Sequence, residues 1–246
     1  MTVAGHLTEL RQRLFWSVLV FVVVSVVCFV FIQKFVDVAL ALSPDFQFVY
    51  LSPSELMTSY MKLALVLGLV LSSPFILWQI WSFVQPGLTQ AESRSALSAV
   101  VAGFVCFLVG AVFCFTVILP ITLQFFYNFN GSKEITANIS FNNYMNFVLG
   151  MLVAFGVVFE MPVLSFLLAR LGLLKPEWLA AGRKYATLVI FFIAAVITPP
   201  DVVSQIMTAV PMLALYELSI VVSRKAFKLR PSQDEDEEED LDDTEE

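Results

Sequence analysis

Residues Leu14 to Gln33 read LFWSVLVFVVVSVVCFVFIQ, twenty consecutive positions without a charged side chain. A helix of about 20 apolar residues crosses a hydrocarbon core of about 30 Å, so this stretch reads as a membrane span. It is longer than the core of a secretory signal peptide, about 7 to 15 residues, and no small-residue cleavage site follows, so it is expected to be retained. Comparable apolar runs extend from Leu63 to about Gly87, Ser95 to Gly131, Ala137 to Ala169 with Glu160 inside it, and Tyr185 to Pro200. A last run, Val202 to Val222, is interrupted only by Glu217. Trimming polar ends gives six helices near 14–32, 63–84, 96–119, 147–169, 186–198 and 202–222.

The fold class is therefore all-α, a polytopic membrane protein with six transmembrane helices. Composition agrees: of the 246 residues, 59% come from the set AVILMFWYC and 14% are charged, where soluble domains have about 45–50% and about 25%. That balance excludes a soluble globular protein. Eleven of the 21 acids lie between Asp234 and Glu246, so the net charge of −7 belongs to the tail. Blocks of like charge are solvated interaction tails, which divides the chain into a membrane domain over 1–230 and an acidic, disordered cytoplasmic tail over 231–246. Neither a nucleic-acid-binding stripe nor a metal or other cofactor is indicated. The three cysteines, Cys28, Cys106 and Cys114, sit in apolar runs, and the chain has a single histidine, too few ligands for a Cys/His site.

Charge also orients the helices. With the N-terminus, the 85–95 loop, the 170–185 loop and the C-terminus on one side, that side holds Arg11, Arg13, Arg94, Arg170, Lys175, Arg183, Lys184, Arg224, Lys225, Lys228 and Arg230. Lys34, Lys62 and Lys133 fall on the other, and the positive-inside rule then puts both termini in the cytoplasm. On the outer side, Ser43-Pro44-Asp45 and Ser52-Pro53-Ser54-Glu55 are turn and helix-start signals, which predict a structured cap. The third helix is expected to run past Pro120 to Tyr127, with Phe125, Phe126 and Tyr127 at the outer interface. Only sixteen residues separate Lys184 from Asp201, about 24 Å of helix. The fifth and sixth helices thus form a short hairpin turning at Pro199-Pro200-Asp201, with a concave outline and a locally thinned membrane.

Polar residues at depth are candidates for function. Glu160 lies mid-span, where an acid is expensive, and Pro162 two positions on should kink its helix. Glu160 either bonds a neighbouring helix or faces a groove and receives a polar group from a partner. Glu217 is placed to pair near the cytoplasmic interface, and Asp201 to cap the sixth helix. Gln205, one turn into that helix, can bond within the bundle or to a partner helix. At the N-terminus, His6, Glu9 and Arg13 share one stripe of an amphipathic helix, in which Glu9 can pair with Arg13 at i, i+4. Glu92 and Arg94 are the only charges in the loop after Gln85-Pro86-Gly87, and on spacing alone Glu92 reads as a solvated acid.

Taken together in chain order, the motifs His6-Leu7-Thr8-Glu9-Leu10-Arg11, Ser73-Pro74-Phe75, Trp81-Ser82-Phe83-Val84-Gln85-Pro86-Gly87-Leu88 with Glu92, Phe155-Gly156-Val157-Val158-Phe159-Glu160-Met161-Pro162, Arg183-Lys184-Tyr185, Thr198-Pro199-Pro200-Asp201 through Gln205, and Tyr216-Glu217 resemble the TatC family. This is the core subunit family of the twin-arginine protein translocase. The resemblance implies a glove-like bundle in the plasma (inner) membrane, favoured over a thylakoid or other organelle membrane. It also implies a receptor for folded precursor proteins with paired arginines in their signal peptides, driven by the proton-motive force. The implied partners are TatA- and TatB-type single-span proteins, membrane lipid and other copies of the chain.

By the same resemblance the signal-peptide site maps to Glu9, Phe83 and Glu92, supported by His6, Arg11 and Arg94, and Glu160 and Gln205 map to intramembrane polar or partner-contact positions. Pro199, Asp201 and Glu217 complete the structural or partner set. The family often has two basic residues after the loop glutamate, whereas here Glu92 is followed by Ser93-Arg94-Ser95. Two other classes were weighed. A proton- or ion-coupled secondary transporter is motivated by Glu160 and Glu217 but lacks a two-half repeat. An intramembrane hydrolase lacks every motif of such enzymes.

Overall fold

The structure, a computed structural model, describes residues 3–43, 46–84, 90–128 and 138–228, with backbone alone for 3–7, 81, 84 and 90–100. Helix α1 spans Val3–Val30. Most of its apolar side chains, among them Leu14, Phe15, Val18, Val22 and Val26, are exposed, and it packs chiefly on α3. A bundle in water could not leave such a stripe open, so this face belongs against lipid. The chain bends at Phe31 (φ −102°, ψ 17°) into α2, Ile32–Ala41. Neither proline nor glycine marks the bend. What holds α2 down is its own stripe, Ile32, Val36 and Ala39, buried at i, i+4, i+7 spacing, together with the Tyr144 hydroxyl, which donates to the Ala39 carbonyl at 2.6 Å.

Two three-residue strands, β1 Gln47–Val49 and β2 Asn138–Ser140, pair in parallel, Phe48 opposite Ile139. They add a small β element to the expected all-α architecture. Phe48 packs on Tyr144, with ring centroids 4.8 Å apart, and on Phe141 at 6.4 Å. Helix α3, Pro53–Val84, starts at the expected proline. In its first turn Glu55 accepts from the Leu51 N–H at 2.7 Å and from the Ser140 hydroxyl, so one carboxylate ties β2 to the start of α3 and closes the cap. The Ser140 hydroxyl, followed by the Leu51 amide, holds the Glu55 carboxyl below the usual carboxylate range. A depressed pKa in the folded state contributes stability that is present at neutral pH and lost as pH falls through that depressed value. Hydrogen exchange at the β1–β2 ladder should therefore stay slow to below about pH 4 in the wild type, and be fast already at neutral pH in Glu55→Gln. Equal exchange in both proteins at pH 7 would show that the carboxylate does not hold the cap.

Pro74 sits inside α3 without breaking it. A proline at this position cannot donate to the carbonyl four residues back, and the Ser73 hydroxyl takes that carbonyl, Val70 O, at 2.7 Å. Helix α4, Gln90–Phe113, continues through a π turn at Cys114–Ile118 into α5, Leu119–Asn128. The wider turn, two positions before Pro120, lets the helix pass a proline and reach the expected aromatic end. There Tyr127 meets Phe46 at 5.8 Å and Phe126 meets Phe147 at 6.2 Å.

Helix α6, Phe141–Phe159, and α7, Met161–Arg170, are separated at Glu160, two positions before Pro162, where the kink was expected. Gly172, with φ 71°, ends α7 in the left-handed conformation that glycine adopts without cost. A short α8, Pro176–Ala181, leads to α9, Arg183–Ile197, and after the Pro199-Pro200 turn to α10, Val202–Lys228. Among the described residues, five helical stretches are long and apolar enough to cross a membrane; α9, with 15 residues, is the sixth crossing and measures only about 22 Å. The sixth helix is longer than expected, 27 residues, because it runs on past Val222 into its basic end. Within it, Glu217 pairs with Arg183 at the start of α9.

The core lies where α10 crosses α6, α7 and α9, around Met145, Val148, Met151 and Phe155 on one side and Ala209, Met212 and Ile220 on the other, all buried. A 22 Å crossing in a core of about 30 Å is expected to draw the bilayer in. Cysteines at Pro199–Asp201 should accordingly react with a membrane-impermeant maleimide more slowly than one at exposed Leu51. Equal rates would place the turn at the general surface and remove the thinning.

Candidate functional site

At the end of the bundle away from the cap, α1 and α3 lie side by side and antiparallel. The Glu9 carboxylate is held by Arg13, one turn further along α1, whose Nε and Nη2 both donate to Oε1 at 3.0 and 2.6 Å. Arg13 Nη1 also reaches Gln79 Oε1 on α3 at 3.3 Å. One turn beyond Gln79 stands Phe83, partly buried. Because the helices run in opposite directions, one turn back from Arg13 and one turn forward from Gln79 reach the same level, which brings Glu9 and Phe83 to one height. About a quarter of each ion-pair side chain is exposed, 24% for Glu9 and 26% for Arg13. Both donors use the same oxygen, and among the described residues Oε2 accepts no hydrogen bond. Arg11 is exposed.

The side chains of His6, Glu92 and Arg94 lie outside the described residues. Their backbone does not: α4 begins at Gln90, so Glu92 and Arg94 belong to the first turns of a helix rather than to a loop. The signal for this was in the sequence, since Thr89-Gln90-Ala91-Glu92 has the S/T-x-x-E pattern of a capping box. Such a position also favours an acid through the helix dipole.

Glu160 stands at the break between α6 and α7, 9% exposed. Its Oε1 is buried, and among the described residues it has no hydrogen-bond partner. Its Oε2 lies against α4 at Gly103, where an added Cβ would come within 2.9 Å. A side chain there would push the carboxyl aside. An unsatisfied buried oxygen costs about 1–3 kcal/mol, a cost that a hydrogen-bond donor would relieve.

In the hairpin, Asp201 caps α10: the Ser204 N–H donates to Oδ1 at 2.7 Å and the Ser204 hydroxyl donates to Oδ2. Pro199 and Pro200 are exposed at the turn. Gln205 Nε2 donates to the Phe191 carbonyl of α9 at 3.0 Å, an internal bond that joins the two helices of the hairpin. Glu217 accepts two bonds from Arg183, 2.8 Å each, in a fork-to-fork pair about half exposed. The hydrogen bonds and charge of Glu217 raise the Arg183 pKa. No group of His, Cys, Asp and Glu that could hold a metal ion occurs among the described residues.

Helices of membrane-crossing length and a first helix whose apolar face is left open define a multi-pass membrane protein. The family model for the Sec-independent protein translocase protein (TatC) matches residues 5–211. The TatC of Carboxydothermus hydrogenoformans is 38% identical over 227 residues, 91% of this chain and 93% of that protein, and the TatC of Helicobacter pylori is 41% identical over 219 residues, 89% and 86%. A crystal structure of the twin-arginine translocase receptor TatC superposes with a TM-score of 0.83 at 35% identity, covering 90% of this chain and 99% of that one. The chain belongs to the TatC family.

Proposed function

We propose that this chain is the receptor and core subunit of a twin-arginine translocase, with both termini in the cytoplasm of a cell whose plasma (inner) membrane it spans. It binds the paired arginines of signal peptides on folded precursors and assembles with TatA- and TatB-type single-span partners and with further copies of itself. The proton-motive force drives export, and the chain acts as a receptor rather than as an enzyme. Residues 1–230 form the working domain and 231–246 the acidic cytoplasmic tail.

The observation that carries this reading is the state of Glu9: a carboxylate already in the grip of a guanidinium, with its second oxygen open, at the shared end of α1 and α3. A site that accepts one arginine from within the chain has the chemistry to accept one from a peptide, since carboxylate and guanidinium match in geometry. Glu92 supplies the second acid and Phe83 shields the pair. Glu160 and Gln205 meet the partner helix within the membrane, and the exposed Pro199 turn, Asp201 and Glu217 keep the hairpin in shape. The test is co-isolation of the full chain with a twin-arginine precursor. The precursor should be retained, and its version with two lysines should be lost; equal retention of both would overturn the reading.

Arg13 then competes with the incoming arginine. Removing it in Arg13→Gln should raise affinity for the arginine pair by about two- to five-fold, the worth of one partly exposed pair of up to about 1 kcal/mol. A fall as deep as that of Glu9→Gln would instead make Arg13 part of the binding surface.

A further inference from the structure

Lys62 occupies an unusual place. It lies nine positions into α3, at the capped end of that helix's apolar run, and is exposed. Its Nζ donates to Asn146 Oδ1 on α6 at 2.9 Å, and among the described residues no carboxylate neutralises it. One turn nearer the cap, the Ser59 hydroxyl bonds Asn142 Oδ1 at 3.2 Å. Away from the cap the lining changes character completely. Lys62 and Asn146 head a groove of about 410 Å³ whose other walls are Val66, Leu149, Gly150, Val153, Ala154 and Ile197. From Asn146 to Ala154 the groove follows eight residues of α6, about 12 Å.

We infer that this groove binds one anionic phospholipid of the leaflet at the capped end, its phosphate on Lys62 and Asn146 and an acyl chain along Val66, Leu149, Gly150 and Ile197. The polarity gradient of the site is that of the ligand: donors at the headgroup level, hydrocarbon beneath. A lysine at the end of an apolar run carries its charge to the interface, where lipid phosphates lie. The ammonium has spent one of its three donors on Asn146, and the Asn146 amide, accepting through Oδ1, still has its NH₂ to donate. The two side chains therefore offer a divided set of N–H donors to a phosphate that the protein itself does not satisfy. Gly150 keeps the groove open: a Cβ there would meet only Ile197 Cγ2, at 3.5 Å, so larger side chains fit the backbone and fill the groove instead of breaking the bundle. A lipid held here sits beside α9, where the bilayer must adapt to a 15-residue crossing.

The experiment is native mass spectrometry of the full chain, purified in mild detergent and offered phosphatidylglycerol or phosphatidylcholine with the same acyl chains. Wild-type protein should retain one phosphatidylglycerol in preference to phosphatidylcholine. Lys62→Gln should lower that retention about five-fold, in line with about 1 kcal/mol per basic residue near an anionic surface, and Lys62→Arg should restore it. Gly150→Leu, which leaves the charge in place, should exclude both lipids from the site. Equal retention of the two lipids by the wild type, or undiminished phosphatidylglycerol on Lys62→Gln, would overturn the inference. So would a co-purifying protein that replaces the lipid and is lost from Lys62→Gln, since the groove would then belong to an acidic partner helix.

Discussion

Replacing Glu9 and Glu92 together by glutamine should abolish the distinction between a precursor with two arginines and one with two lysines, while leaving the chain folded and inserted. Each partly exposed carboxylate–guanidinium pair contributes up to about 1 kcal/mol, so loss of both acids should lower affinity for the arginine pair by about 10- to 30-fold. Each single variant should lose less, because the remaining carboxylate still holds one guanidinium. Glutamine is the informative replacement at both positions. At 92 it preserves the capping pattern Thr89-x-x-Glu/Gln, so the start of α4 survives while the charge goes. At 9 it releases Arg13, which still has Gln79 at 3.3 Å, so the α1–α3 contact persists. Glu92→Lys should be worse than Glu92→Gln, since repulsion is added to the lost contact. Undiminished preference for arginine in the double variant would place the recognition site elsewhere.

The second large effect is expected at Glu160. Leucine there removes the acceptor, and precursor or partner engagement should fall about ten-fold or more, as the donor brought by the partner is left unsatisfied in the membrane. Glutamine keeps an acceptor of the same shape and should retain most function. Gly103 provides an independent check, because its replacement leaves the acid in place but takes its room: a Cβ would lie 2.9 Å from Oε2. Gly103→Val should therefore reproduce the Glu160→Leu defect, with Gly103→Ala in between. Normal transport by Glu160→Leu would reduce the residue to a packing role.

The helices were legible because a span announces itself in twenty consecutive residues, and Leu14–Gln33 needs no tertiary context. What escaped the sequence has short or distant causes. Strands of three residues carry no periodicity, and Gln47 finds Asn138 only because α3 and α6 start side by side. The bend at Phe31 has no proline or glycine to signal it and follows from where α2 buries Ile32 and Val36. Pro74 would suggest a break, yet it is bypassed by the Ser73 hydroxyl, and the passage past Pro120 is legible in the sequence while the π turn that allows it is not.

Of the site, the carboxylates could be named from the chain, but not what surrounds them. That Arg13 reaches Gln79 and that Gly103 faces Glu160 are contacts between helices far apart in sequence, and that Gln205 donates to Phe191 depends on how the two helices of the hairpin fold back on each other. The position of Glu92 inside α4 is carried by the pattern Thr89-x-x-Glu, whereas the charges of Glu92 and Arg94 suggest a loop.

On the proposed function, a single peptide's arginine pair meets Glu9 on α1 and Glu92 on α4 at once. Photo-crosslinkers placed one at a time at Thr8 and Ser93, beside the two acids, test it most directly, with a folded twin-arginine precursor added to membranes holding the full chain. Both positions should crosslink to the residues flanking the arginine pair, and both crosslinks should vanish when the pair is changed to two lysines. Crosslinks that persist with the lysine pair, or that map to the mature part of the precursor, would contradict the account.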